Sequence, residues 1–380
     1  MLQLSQFPDN ERLTDRLRDE IREDRMPHGK LFHGRPGDGK LAIALAYAHA
    51  ILCTNRTEDG ACGTCPACSK TSKLIHPDLH FSFPVITKKS SDQPVSEDYL
   101  AEWREAVLGN VHLSLNDWLM TINAENKQGN ITARECRQII QKLSLKPYES
   151  QHRILLMWLP EHLGAVGNSL LKLIEEPPDN THIIMVTEQP ERILATILSR
   201  VQITVIRPYT DDSVKQILLN QGIEPSAAQS AAYLSGGDVN AAMKLLNEAE
   251  LTFNPMSHFR DWMRLCVQYK VPELMQWTDS TASLGRENIK AFLTYCLRLI
   301  RETMAVKLVE NYEVRLETET AEFVRNFSRA VQISNIETLY FLVNKTIGEI
   351  ERNANAKMVL LDQSLQLGRA FAESRRAKTN

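Results

Sequence analysis

The sequence lacks any uncharged apolar run of the 18 or more residues that a helix needs to cross a bilayer, so no membrane span is expected. Met1 to Asp9 also lack the basic stretch and following apolar stretch of a secretory leader. There is no surplus of basic charge: 44 Lys and Arg stand against 47 Asp and Glu, a net charge of −3. Nucleic-acid binders usually carry a basic surplus or stripe, so global attraction to DNA is excluded and any contact must be local or shared with partners. Internal repeats and low-complexity segments are absent. Cysteines are few and odd in number, seven in all. Without a leader, that count argues against a disulfide framework and for a reducing cytoplasm.

What is present is ordinary in composition, with 43% hydrophobic and 24% charged residues. A length of 380 residues exceeds what one core usually organises, so two or three domains are expected. Residues 1–207 alternate helical and strand-like patterns, the signature of a layered α/β domain. Leu13 to Arg25 reads as a surface helix, Leu31-Phe32 as a short strand and Leu41 to Leu52 as a helix. His80 to Ile86, Arg153 to Leu159 and His182 to Thr187 read as buried parallel strands, and residues 87–100 as an exposed loop insertion. Beyond Arg207-Pro208 the strand signals stop. Residues 208–250 read as a small domain of three short helices, and 251–380 as helical throughout, ending in a frayed basic tail after Phe371.

Gly34-Arg35-Pro36-Gly37-Asp38-Gly39-Lys40-Leu41 lies between an expected strand and an expected helix, the context of a phosphate-binding loop. In such a loop the glycines (Gly34, Gly37 and Gly39) let backbone amides turn toward phosphate oxygens, and Lys40 adds a point charge. An ordinary Gly-rich turn before a helix is the competing reading. The pattern asks for Ser or Thr after the lysine to ligate Mg²⁺, and Leu41 cannot do so. Hydrolysis also needs an Asp for the metal and a Glu for the attacking water at the end of a neighbouring strand. The strand from Arg153 ends instead in Trp158 and Leu159. Glu161 follows, and reads as a solvated residue at a helix N-terminus. Two losses on one metal make hydrolysis by this chain unexpected, and leave ATP or ADP binding open.

Cys53, Cys62, Cys65 and Cys68 form C-x₈-C-x₂-C-x₂-C, with Gly60, Gly63 and Pro66 supplying turns. Four thiolates at this spacing suit a closed, structural Zn²⁺ site; an iron–sulfur cluster, disulfides or coincidental burial are the alternatives. Basic residues beside the cluster are few (Arg56, Lys70, Lys73), so scaffolding is expected here rather than a grip on DNA.

The run Asn168-Ser169-Leu170-Leu171-Lys172-Leu173-Ile174-Glu175-Glu176-Pro177-Pro178 resembles the helix and turn that follow the Walker B strand in bacterial clamp-loader subunits. Ala195-Thr196-Ile197-Leu198-Ser199-Arg200-Val201 is similar to that family's Ser-Arg-Cys motif, with Val201 in place of the cysteine. Met26-Pro27-His28, and Asn353 to Lys357 near the end, match as well, so the likeness runs from about residue 6 to about residue 370.

The resemblance implies an AAA+ P-loop α/β core (1–207) with an inserted zinc module near 53–68, a helical lid (208–250) and a helical collar for oligomerisation (251–380). It implies a zinc module at these cysteines, gamma/tau and delta subunits as partners, and a ring-shaped sliding clamp loaded onto primed DNA by the assembled complex. It further implies that Arg200 acts as a finger on ATP held by a neighbouring subunit, where the residues alone suggest pairing with a nearby acid. Thr187 matches the family's sensor 1 position, and Asn240 stands where its ATPases place a sensor 2 arginine. Leu41, Trp158, Leu159 and Asn240 all point away from the ATP-hydrolysing gamma/tau kind, toward the branch that keeps the fold without the hydrolysis.

Overall fold

The computed structural model describes residues 2–86, 93–124, 127–247, 254–314, 316, 318–352 and 354–379. It divides into two compact units, one formed by Met1–Ser213 with Gly237–Asn240, the other by Val214–Gly236 with Ala241–Asn380.

The first unit is built on a five-stranded parallel sheet: β1 (Gly29–His33), β2 (Leu79–Ser82), β3 (Arg153–Trp158), β4 (Thr181–Thr187) and β5 (Gln202–Val205), in the order β2-β3-β4-β1-β5. β3 and β4 are buried along their whole length, which is why they read as continuous apolar runs. β5 gave no such signal: at the sheet edge Ile203 and Val205 stay exposed, and Thr204 is buried. The helices of this unit are α1 (Glu11–Arg22), α2 (Lys40–Leu52), α3 (Pro66–Thr71), α4 (Leu100–Gly109), α5 (Leu115–Thr121), α6 (Ala133–Ser144), α7 (Leu171–Glu175) and α8 (Ala195–Leu198). Every residue of α2 is buried, so it shows no polar face, unlike the amphipathic α1.

Residues 87–92 of the expected loop lie outside the described residues. Residues 95–99 correct that expectation for the remainder: Val95, Ser96 and Tyr99 are buried, and Ser96 Oγ receives the Phe83 amide at 2.9 Å. The expected strand at 80–86 stops at Ser82, and Val85 makes only an isolated bridge to Asn130.

Residues 211–246 form α9 (Asp211–Asn220), α10 (Pro225–Ser235) and α11 (Val239–Leu246). Then come α12 (Pro255–Gln268), α13 (Val271–Ala282), α14 (Arg286–Leu308), α15 (Thr318–Ala330), α16 (Ile333–Glu351) and α17 (Ala356–Thr379). Phe259, Trp262, Phe292, Leu299 and Val343 are among the buried residues of the second unit's own core. The tail expected to fray after Phe371 instead continues α17 to Thr379, since nothing in that stretch breaks a helix.

Candidate functional site

β1 hands the chain to the loop 34–39, and α2 begins at Lys40. Gly37 and Gly39 adopt φ of +69° and +83°, left-handed values that turn the loop back onto the helix axis and that side-chain-bearing residues rarely adopt. The strand, glycine turn and helix read from the sequence are therefore all present. The protein's own side chains lie against the loop's three glycines. A Cβ placed on Gly34 would lie 1.7 Å from Asp38 Oδ2, one on Gly37 would lie 1.9 Å from Asp238 Oδ1, and one on Gly39 would lie 2.2 Å from the Tyr209 hydroxyl.

Asp38 is fully buried, and its Oδ1 accepts the Lys40 amide at 3.1 Å and lies 3.4 Å from Lys40 Nζ. Lys40, itself only 5% exposed, donates from Nζ to the Arg35 carbonyl at 2.6 Å and pairs with Glu188 Oε1 at 3.0 Å. Burial raises the Asp38 pKa and outweighs the opposing pull of Lys40. For Lys40, burial works against the charge, yet Glu188 and Asp38 together outweigh it and raise the pKa. The cation that should meet a phosphate is thus already neutralised by two carboxylates. His112 stacks edge-on against Tyr209 at 6.0 Å, and burial beside Lys40 holds its pKa down at about 4.

The metal side of the site is apolar. Leu41 points into the main core of the first unit. Trp158, at the end of β3, packs on Trp103 with ring centroids 5.1 Å apart, and Trp103 in turn stacks on Phe83 at 4.3 Å and meets Trp118 at 5.3 Å. An indole in that cluster cannot ligate Mg²⁺.

Glu161 corrects the reading from sequence: it is 5% exposed, not solvated. Its carboxylate accepts the Thr187 hydroxyl at 2.8 Å, the Glu188 amide at 3.0 Å and the Gln189 amide at 3.3 Å. All of these donors tie β4's exit to β3's. Asn240 Nδ2 donates to Asp117 Oδ2 at 2.6 Å, and its Oδ1 accepts from Asn110 at 2.7 Å. Glu188, Tyr209 and Asp238 were not picked out from the sequence. Glu188 follows Thr187 directly, but an acid after a strand carries no distinctive signal.

Arg200, two residues past α8, lies outside the loop 34–39. Its Nε donates to Glu175 Oε2 at 3.0 Å, and its Nη1 donates to the Thr196 carbonyl at 2.9 Å and to Ser199 Oγ at 3.3 Å. The side chain remains 33% exposed. The pairing with an acid suggested by the residues alone is therefore present, at a surface where the guanidinium keeps donors free.

The four clustered cysteines converge. Their sulfurs all lie within 4.8 Å of one another, with Cys53–Cys65 and Cys62–Cys68 each at 3.9 Å. A tetrahedral site with Zn–S of about 2.3 Å has sulfur–sulfur edges of about 3.8 Å, so the donor set fits Zn²⁺. Backbone amides of Cys62, Cys65 and Cys68 point at the sulfurs of Cys53, Cys62 and Cys65 at 3.3–3.4 Å. Burial raises the Cys53 and Cys68 pKa values. At Cys65 burial is outweighed by donors from Thr54 and Cys68, which bring it to about 5. The cysteines outside this group, Cys136, Cys266 and Cys296, are free and buried. Arg56 donates to the carbonyls of Ala50 at 3.1 Å and Ile51 at 2.8 Å, so it caps α2 and is not free to meet phosphate.

With this geometry in view, the comparisons with known proteins define the class. A profile described as DNA polymerase III, delta subunit, matches residues 9–210, and the chain belongs to that family. The curated proteins it resembles are DNA polymerase III subunits named both delta' and gamma/tau. It is 28% identical over 235 residues to the DNA polymerase III subunit delta' of Bacillus subtilis, a match covering 60% of this chain and 57% of that one. With the delta' of Escherichia coli K12 it shares 23% over 285 residues, covering 73% and 70%. With the B. subtilis subunit tau it shares 24% over 247 residues, covering 63% and 36%. The match to the first relatives thus spans little more than half of their length, 57% for B. subtilis delta'. Among solved structures, the Thermotoga maritima RuvB Holliday junction branch migration motor overlaps 90% of this chain and 76% of its own, at 14% identity and a TM-score of 0.38. No helix among the described residues is long and apolar enough to cross a membrane.

Proposed function

We propose that this chain is the delta-prime-type, non-hydrolysing subunit of a DNA polymerase III clamp loader. In this reading 1–207 is an AAA+ core, 208–250 a lid and 251–380 a collar that assembles with gamma/tau and delta subunits. The complex would load a sliding clamp onto primed DNA, and this chain would be its comparatively rigid member.

The observation that carries the reading is Lys40, buried and paired with Asp38 of the loop and with Glu188 just after β4. A phosphate would have to displace the Asp38 carboxylate to reach it, and neither Leu41 nor Trp158 can ligate Mg²⁺. Arg200 differs in kind: it is partly exposed, and held at one edge by Glu175 and by its own helix. A guanidinium so presented can meet charge developing on a phosphate bound by another protein. Cys53, Cys62, Cys65 and Cys68 would hold Zn²⁺, whose role is to cross-link the segment after α2.

Reconstitution tests both parts. The isolated chain should show no ATP turnover, and the complex carrying Arg200→Ala should lose turnover at the adjoining ATP site by at least about tenfold, a fraction of what fingers supply elsewhere. Turnover by the isolated chain that Lys40→Ala abolishes would instead make it a gamma/tau-type ATPase. Unchanged turnover and loading with Arg200→Ala would remove the finger.

A further inference from the structure

Arg200 is gripped on two edges, and the grip decides which of its donors can reach a ligand. Backbone amides fill two carbonyls of the short helix α8: Ser199 N donates to Ala195 O and Arg200 N to Ile197 O, each at 3.0 Å. The Thr196 carbonyl is left to side chains, as the last carbonyls of a helix usually are. Ser199 Oγ donates to it at 3.1 Å and Arg200 Nη1 at 2.9 Å. The hydroxyl hydrogen of Ser199 is thus committed, and its lone pairs face Arg200 Nη1 at 3.3 Å. On the opposite edge Nε donates to Glu175 Oε2 at 3.0 Å. With Nε and Nη1 engaged, Nη2 is the nitrogen without a partner among the described residues.

Glu175 is as firmly placed as the arginine. It is the last residue of α7, which cannot run on into Pro177 and Pro178. α7 packs against α8. Ile174, beside Glu175, and Ile197, in α8, are each 1% exposed in one apolar cluster with Leu155 and Met157 of β3 and Ile183 and Met185 of β4. The acid and the arginine therefore project from two pieces that share a core with the sheet. Their bond has two opposing effects on a phosphate approaching Nη2. It fixes a long side chain that would otherwise sample many rotamers, and it offsets part of the positive charge. Glu175 is 57% exposed, so water and salt weaken the second effect. Orientation does not suffer that screening, and it wins.

We propose that Glu175 is a positioning residue for Arg200: it holds the guanidinium so that Nη2 is presented to a phosphate oxygen of nucleotide bound by the adjoining subunit. This rests on the reading of Arg200 as a finger. Glu175 itself touches no nucleotide and acts through the arginine alone.

The test is ATP turnover at the adjoining site in complexes reconstituted with gamma/tau and delta subunits and carrying Glu175→Ala, Glu175→Gln, Arg200→Ala or the double alanine variant. Glu175→Ala should lower kcat by about three- to tenfold with little change in KM, because misplacing a group that meets the transition state costs rate, not ground-state binding. Glu175→Gln keeps an acceptor oxygen and should recover most of that loss. Adding Glu175→Ala to Arg200→Ala should change nothing further, as expected of a residue that works only through the other. All of the variants should assemble and melt within a few degrees of the wild type. If Arg200→Ala loses turnover and Glu175→Ala does not, the finger stands and the positioning role falls. Faster turnover with Glu175→Ala would make the acid a brake on Arg200. A further loss in the double variant would give Glu175 a contact of its own, and a rate loss that comes with poor assembly or a low melting temperature would make its role structural. Turnover indifferent to Arg200→Ala would remove finger and positioning residue together.

Discussion

The Asp38 carboxylate lies 3.4 Å from the Lys40 ammonium, where the loop meets the first residue of α2. In a working phosphate loop that lysine would face a ligand's oxygens. Here the sequence supplies its own anion two residues away, and Glu188 supplies another at 3.0 Å.

Lys40 should therefore behave as a structural residue. Lys40→Ala leaves Asp38 buried without its partner, and breaking a buried pair in this way costs about 3–5 kcal/mol. The stated range is an upper bound here, because Glu188 is partly exposed and burial already favours protonation of Asp38. Chemical denaturation should show the loss, while titration with ATP or ADP should show no binding to either protein. Micromolar nucleotide binding by the wild type would contradict this account of the loop.

Restoring the missing hydroxyl should not restore the metal site. Leu41→Thr places a polar group among apolar neighbours at a site only 4% exposed. A buried hydroxyl without a partner costs about 1–3 kcal/mol, on top of the lost apolar volume. The expected outcome is a lower melting temperature and no Mg²⁺-dependent nucleotide binding, read by calorimetry with and without Mg²⁺.

Zinc removal should act locally and strongly. The purified chain should carry about one zinc per molecule, and strong chelation should release it and destabilise residues 53–68 because metal affinity there is also folding free energy. Cys65→Ser should lower zinc content in the same way. Hydrogen exchange would localise the effect: slow exchange of amides 62, 65 and 68 should become fast, while β3 and β4 change little. Unchanged exchange after complete zinc loss would show that the cysteines pack without the ion.

The Arg200–Glu175 pair should contribute little to folding. Glu175 is exposed and Arg200 partly so, and such surface pairs are worth less than about 1 kcal/mol. Arg200→Ala and Glu175→Ala should therefore melt within a few degrees of the wild type. A large drop in stability would assign Arg200 a structural role and weaken its reading as a finger.

Asp78 sets an acid limb to stability. It accepts the amides of Tyr148, Glu149 and Ser150 at 2.5–2.9 Å. Burial opposes its charge, but the amide donors win and hold its pKa below the ordinary 3.8. A depressed acid contributes stability above its unfolded pKa and loses it as pH falls through the folded value. That contribution should be intact at pH 5 and fade below about 4. Asp78→Asn should lower stability at neutral pH and flatten this part of the acid transition, as followed by denaturation across pH.

Local pattern in the sequence reached a long way. Glycine spacing between an apolar pair and an alanine-rich run is enough to specify a strand, a left-handed loop and a helix, because only glycine takes those φ values freely. Leu41 and Trp158 announce lost metal ligation by their chemistry alone, and four cysteines at short spacing announce a thiolate site. The edge strand Gln202–Val205 was not legible, because an exposed edge needs no apolar run. Nor was the burial of Glu161, since its hydrogen-bond partners come from β4, a strand distant in sequence. What only the tertiary structure decided is what fills the phosphate loop. Glu188, Tyr209 and Asp238 reach it from the ends of other elements, and nothing in their spacing records that meeting. Sequence by itself determined that a strand, a glycine turn and a helix would follow one another; the packing of β4 decided that Lys40 would meet Glu188 as well as Asp38.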